Sequence, residues 1–105
     1  MIIATRLYIR TDISVPWHID QPFENSIHPN EFKNHVANAY GNKKTHQSYT
    51  LSDDGLTLTF QSVWVSLEAY QEYMNDPICM AVFNRRTAHN TQFRIINNPA
   101  TIEEV

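Results

Sequence analysis

Arg6, Tyr8, His46, Gln61 and Arg94 are the side chains of this sequence best suited to holding and deprotonating an acidic small molecule. Each sits in a segment whose residues alternate, and alternation by two places side chains on one face of a strand. Two guanidinium groups, a phenol and an imidazole on one surface favour an anionic or phenolic ligand, through charge-assisted hydrogen bonds. His46 is the candidate base, because imidazole titrates near neutral pH. Arg6, Tyr8 and His46 are therefore the candidate catalytic residues, and Gln61 and Arg94 the candidate ligand contacts. Trp17 and His18 lie in a long irregular segment with Asp20 and Phe23, and are candidate lid contacts over the cavity mouth. If nothing covers that sheet face, the same residues make an ordinary solvated surface.

Other chemistries find less support. His18-x-Asp20 alone is too little for a two-histidine, one-carboxylate metal site, so no metal is expected. Cys79 falls near a helix start, where a thiol pKa drops, but its default reading is a small buried hydrophobe. His28, His35 and His89 read as surface or capping residues. There is no glycine-rich phosphate loop, nucleophile elbow or zinc spacing, and no cofactor is expected. A net charge of −3 and a pI near 5.9 argue against a nucleic-acid partner. Lys43-Lys44 and Arg85-Arg86 are short pairs and read as solvated charge near helix ends.

A chain of 105 residues that is 42% hydrophobic reads as one domain, 1–105, with a modest core that oligomerisation would help. One cysteine excludes an internal disulfide and suits a reducing compartment. The opening MIIATRLYIRTD is interrupted by Arg6 too early for a leader, and no apolar run approaches the ~18 residues of a membrane span. The expectation is a soluble, cytoplasmic protein without a membrane partner.

The elements that must position these residues follow from periodicity. Residues 2–10 alternate as a half-buried strand. Residues 11–28 are irregular and carry two prolines. Pro29 opens a helix over 29–40 with a Phe32/Val36/Ala39/Tyr40 stripe, and Gly41 ends it. Residues 44–51 and 56–65 are strands joined by Ser52-Asp53-Asp54-Gly55, a hairpin signal. Ser66 caps the next helix, and Asp76-Pro77 splits it into 67–75 and 77 to about 88. QFRIIN, residues 92–97, reads as a last strand, and the tail as extended and partly mobile.

The order β, α, β, β, α, β is the ferredoxin-like α+β arrangement: a four-stranded antiparallel sheet with both helices on one face. Ile3/Leu7/Ile9, Leu56/Leu58/Phe60/Trp64 and Phe93/Ile95 are expected to face the helices. The opposite face then carries Arg6, Tyr8, His46, Ser48, Thr57, Thr59, Gln61, Val63, Arg94 and Ile96. Phe60-Gln61-Ser62-Val63-Trp64-Val65-Ser66, followed by Leu67-Glu68-Ala69-Tyr70 and the Asn75-Asp76-Pro77 break, resembles the signature of the dimeric α+β barrel proteins. It is most similar to the antibiotic biosynthesis monooxygenase-like group, over about residues 58–84. The resemblance implies a homodimer whose stacked sheets enclose a cavity for a small aromatic or anionic molecule, with cofactor-independent oxidation or isomerisation as the activity. The haem-degrading branch uses a helix tryptophan and a later haem-ligating histidine, and Tyr73 and Phe83 stand at those positions here. A non-catalytic interaction module on the same fold is the alternative.

Overall fold

The computed structural model describes residues 1–18 and 29–105. Asp20, Phe23 and His28 lie outside the described residues. The elements are β1 (Ile2–Ile9), α1 (Pro29–Tyr40), β2 (Lys44–Leu51), β3 (Thr57–Trp64), α2 (Leu67–Asn75), α3 (Pro77–Gln92), β4 (Ile96–Asn97) and β5 (Thr101–Glu104). The strands form one antiparallel sheet in the order β2-β3-β1-β4, with β5 also pairing β1. This is the expected ferredoxin-like order, with the fourth position split in two. β4 covers Tyr8 and Ile9, and β5 covers Ile2 to Thr5. Pro99 stands between them, and a residue without a backbone N–H cannot continue the ladder.

The local signals explain most boundaries. Gly55 adopts φ 75° in the β2–β3 turn, where Ser52 Oγ donates to Asp54 Oδ1 at 2.6 Å. Ser66 Oγ accepts from the Ala69 N–H and caps α2. Asp76 does the same for α3, accepting from Ile78 and Cys79 N–H groups, with Pro77 in the first turn.

Three expectations need correction. First, α3 runs to Gln92, so the expected last strand over 92–97 is mostly helix end. The Ile95 N–H returns to the Asn90 carbonyl at 2.8 Å, and Arg94 takes the left-handed φ of 57° that a glycine usually supplies. Second, the tail is extended as expected but is an element of the sheet: Thr101–Glu104 is β5, paired with β1. Third, β1 is turned over. Ile2, Ala4 and Tyr8 are buried, whereas Leu7 is exposed. Their cross-strand partners are Trp64, Ser62 and Leu58, and Arg6 lies opposite Phe60, so the even positions of β1 face the helices. Both faces of β1 are apolar, so alternation alone could not choose between them; the register with β3 decides.

The core lies between sheet and helices in two clusters. Ile2, Tyr40, Trp64, Ala69, Tyr73 and Cys79 form one. Tyr8, Trp17, Leu58 and Ile95 form the other. The molecule measures 37 × 34 × 18 Å, two layers thick. Among the described residues no second layer covers the other face of the sheet. On β1 and β3 it presents Ile3, Thr5, Leu7, Ile9, Thr57, Thr59, Gln61 and Val63, without one charged group.

Candidate functional site

Between the two core clusters the sheet and helices leave a cavity of about 200 Å3. Its floor is the inner face of β1 and β3, through Ala4, Arg6, Tyr8, Phe60, Ser62 and Trp64. Tyr70 and Tyr73 on α2, and Phe83, Arg86 and Asn90 on α3, close it from above. The Trp64 indole N–H donates to Ser62 Oγ at 2.9 Å, which satisfies that ring and fixes its plane against the floor.

Lys44 reaches the cavity because of a β-bulge. The β2–β3 register shifts between Lys44, opposite Trp64, and His46, opposite Val63. The extra residue, Thr45, sends Lys44 inward and His46 outward. The Lys44 Nζ lies 5.4, 5.8 and 5.9 Å from the ring centres of Tyr73, Trp64 and Phe60. Its one close polar contact among the described residues is Gln47 Oε1. Rings attract an ammonium but replace little of its lost hydration. Burial, and then the neighbouring Arg86 charge, therefore lower the Lys44 pKa to about 8.

The field in the cavity is positive. Arg6, Lys44 and Arg86 line it, and among the described residues no carboxylate does. Arg86 also sits over the Phe32 ring of α1 at 5.7 Å, which holds it on the cavity side of α3. Burial raises the Tyr8 pKa, against the opposing pull of Arg6 and Arg86, and raises that of Tyr49 as well. Tyr73 is raised by burial and then by Cys79. These phenols are neutral hydrogen-bond donors at physiological pH. Tyr49 stacks on Phe60 with centroids 4.6 Å apart, widening the aromatic wall.

One end of the cavity holds a polar group without a partner among the described residues. Asn90 is 3% exposed, and neither its amide nitrogen nor its amide oxygen is hydrogen-bonded to a described residue. Leaving buried polar groups unmet costs about 1–3 kcal/mol. His18 lies beside it, its ring 4.5 Å from that of Tyr8. Burial, with the charges of Arg86 and His89, lowers the His18 pKa to about 4, so the ring is neutral. Asn90 opposes that shift, yet does not reach hydrogen-bond geometry with His18 Nδ1.

The residues singled out from sequence separate into groups. Arg6 and Tyr8 line the cavity, and His18 packs against Tyr8. Trp17 is buried in the second core cluster, with the Arg10 guanidinium 4.5 Å above its ring. His46 and Gln61 are on the opposite sheet face, where Gln61 Nε2 donates to Thr5 Oγ1 at 3.3 Å. Arg94 is exposed at the end of α3. Lys44 and Arg86, read from sequence as solvated charge, are half-buried cavity walls. A signal for Arg86 and Asn90 was present. Cys79, Val82, Phe83, Arg86 and Asn90 fall on one helical stripe, so a cation and an amide interrupt an apolar face. Lys44 gave no such signal, because its direction depends on the bulge.

A second polar cluster joins α1 to the α2–α3 corner. Asp76 Oδ2 is 2.7 Å from both His35 Nε2 and the Tyr40 hydroxyl, and Cys79 is close by. Burial works against the Asp76 carboxylate, but hydrogen bonds from Tyr40, His35 and two backbone N–H groups hold its pKa at about 2. Burial and the Asp76 charge push the Cys79 thiol up to about 11. A carboxylate whose oxygens are occupied and a protonated thiol make a poor metal site. This cluster is a structural joint.

No protein-family model and no curated protein matches this sequence. Solved structures do match. One, from Deinococcus radiodurans and provisionally assigned as an antibiotic biosynthesis monooxygenase, aligns with all of this chain and 92% of its own, at TM-score 0.59 and 13% identity. Another, Rv0793 from Mycobacterium tuberculosis, aligns over 98% of this chain and 91% of its own, at TM-score 0.45 and 10% identity. The chain has the α+β fold of the antibiotic biosynthesis monooxygenase-like structures. Among the described residues no helix is long and apolar enough to cross a membrane.

Proposed function

We propose that the protein binds a one- or two-ring aromatic acid, phenol or enol as its anion, in the cavity between sheet and helices, and acts on it with its own side chains. The observation that carries this reading is a cavity walled by aromatic rings and lined by three cations, with no carboxylate among its described lining residues. The volume of about 200 Å3 suits such a guest; an apolar cavity of ~150 Å3 accepts benzene. Arg6 and Arg86 stabilise the ligand's oxyanion. Lys44, rather than His46, is the base: with a pKa of about 8 its free amine is populated near neutral pH and takes the ligand's O–H proton as an ammonium. The resulting electron-rich anion starts either reaction expected from sequence. Return of that proton from the Lys44 ammonium to a ring carbon gives the keto isomer, an isomerisation. Reaction with O2 at a ring CH2 gives C=O, with the second oxygen and both hydrogens leaving as water.

The homodimer expected from sequence is part of this proposal, with a changed role. The face without helices is uncharged on β1 and β3 and suits a second copy of the sheet. Since the cavity lies on the other side, each subunit carries its own site. The functional reading is tested with 1-naphthoate, two fused rings and one carboxylate. Saturable quenching of Trp64 fluorescence in the wild type, weakened about tenfold or more in Arg6→Met, is expected. Equal affinity in the two proteins would remove the anion-binding role.

A further inference from the structure

The cations account for one side of a ligand and leave the Asn90 end of the cavity unexplained. An asparagine in the last turn of α3, 3% exposed and with neither amide atom in hydrogen-bond geometry with a described residue, is a buried polar group that packing alone does not explain. Its requirement is specific. A ligand group that only accepts hydrogen bonds leaves the amide oxygen unmet, and one that only donates leaves the nitrogen unmet. A group with a donor beside an acceptor meets both at once, in one plane, as an asparagine does when it reads adenine. Exchanging the amide's oxygen and nitrogen leaves the requirement unchanged.

We propose that Asn90 reads a donor–acceptor edge, so that the ligand class is an aromatic anion carrying a lactam, or an amide N–H beside its carbonyl, on the rim away from its acidic group. This rests on the cavity being the binding site. Position along α3 supports the pairing. Asn90 follows Arg86 by four residues, roughly 6 Å of helix on the same face, so the anion and the edge are read one turn apart. A bicyclic lactam with a carboxylate across its ring has that span. His18 closes the same end as a neutral ring, so no second charge there competes for the anion.

The test compares two ligands of one size and charge by calorimetry: 2-oxo-1,2-dihydroquinoline-4-carboxylate, which has the lactam edge, and 1-naphthoate, which lacks it. The wild type is expected to prefer the lactam by about tenfold or more, and the ratio to fall to within about threefold in Asn90→Leu. Asn90→Ala, with the same expected ratio, serves if the leucine does not pack. Equal binding of both ligands by the wild type, or a preference that survives in the variants, overturns the assignment. Failure of the wild type to bind either ligand overturns the proposed function itself, and this inference with it.

Discussion

Lys44→Met should make the protein more stable at pH 7, although it removes three ring contacts and a hydrogen bond. The Lys44 pKa falls from 10.5 to about 8 on folding. At ~1.4 kcal/mol for each tenfold change in proton affinity, holding the ammonium in the folded cavity costs about 3 kcal/mol. Solvent at the half-exposed side brings this to roughly 2–3 kcal/mol. The sign follows from linkage. The neutral amine is the form that folding favours, so its stabilising contribution is complete above 10.5 and is lost as pH falls through about 8. Methionine has nearly the same length and no charge to strand. Urea unfolding at fixed protein concentration is expected to show Lys44→Met about 2 kcal/mol above wild type at pH 7, near 10 °C in melting temperature for a domain of this size. Most of that difference should be gone by pH 10. A bound aromatic anion should offset the same cost, so ligand should raise the melting temperature of the wild type more than that of the variant. Destabilisation by Lys44→Met at pH 7, or a difference indifferent to pH, would refute the claim that the cavity holds a poorly solvated cation.

Two further outcomes follow from other parts of the fold. Asp76→Asn keeps the shape of the α3 cap but loses a charge that accepts from Tyr40, His35 and two N–H groups, so it should cost about 2 kcal/mol at pH 7. Since folding holds the Asp76 pKa at about 2 against an ordinary 3.8, its contribution is complete above 3.8 and is lost as pH falls through about 2. The wild-type and variant unfolding curves should therefore converge in acid; parallel curves would mean that the carboxylate's charge is immaterial. Leu7→Glu puts a charge on the sheet face opposite the helices, so light scattering should find wild-type dimers and variant monomers that remain folded. A variant that stays dimeric would place the subunit contact elsewhere.

The topology was legible because its signals are local. Ser52-Asp53-Asp54-Gly55, Ser66 and Asp76-Pro77 each impose a turn or a cap whatever surrounds them, and the element order follows. The cavity was less legible, because it depends on facts that no single segment contains. β1 has apolar residues on both faces, so Arg6 and Tyr8 were matched with each other but assigned to the wrong side. Lys44 and His46 differ by two, and strict alternation would put them on one face; the bulge at Thr45 separates them. Arg94 sits in a strand-like string, QFRIIN, yet serves as the left-handed stop of α3. Arg86 and Asn90 are the exceptions, since their place on the apolar stripe of α3 was available in the spacing alone.

The proposed activity requires the ligand to lie between sheet and helices rather than on the outer sheet face. A titration of 15N-labelled protein with 1-naphthoate decides between them. The Trp64 indole N–H, on the cavity floor, and the amides around Arg86 and Asn90 should shift with one saturation curve, while those of His46, Thr59 and Gln61 stay in place. Saturable shifts at His46, Thr59 and Gln61 with Trp64 unmoved would contradict the account and return the site to the face between subunits.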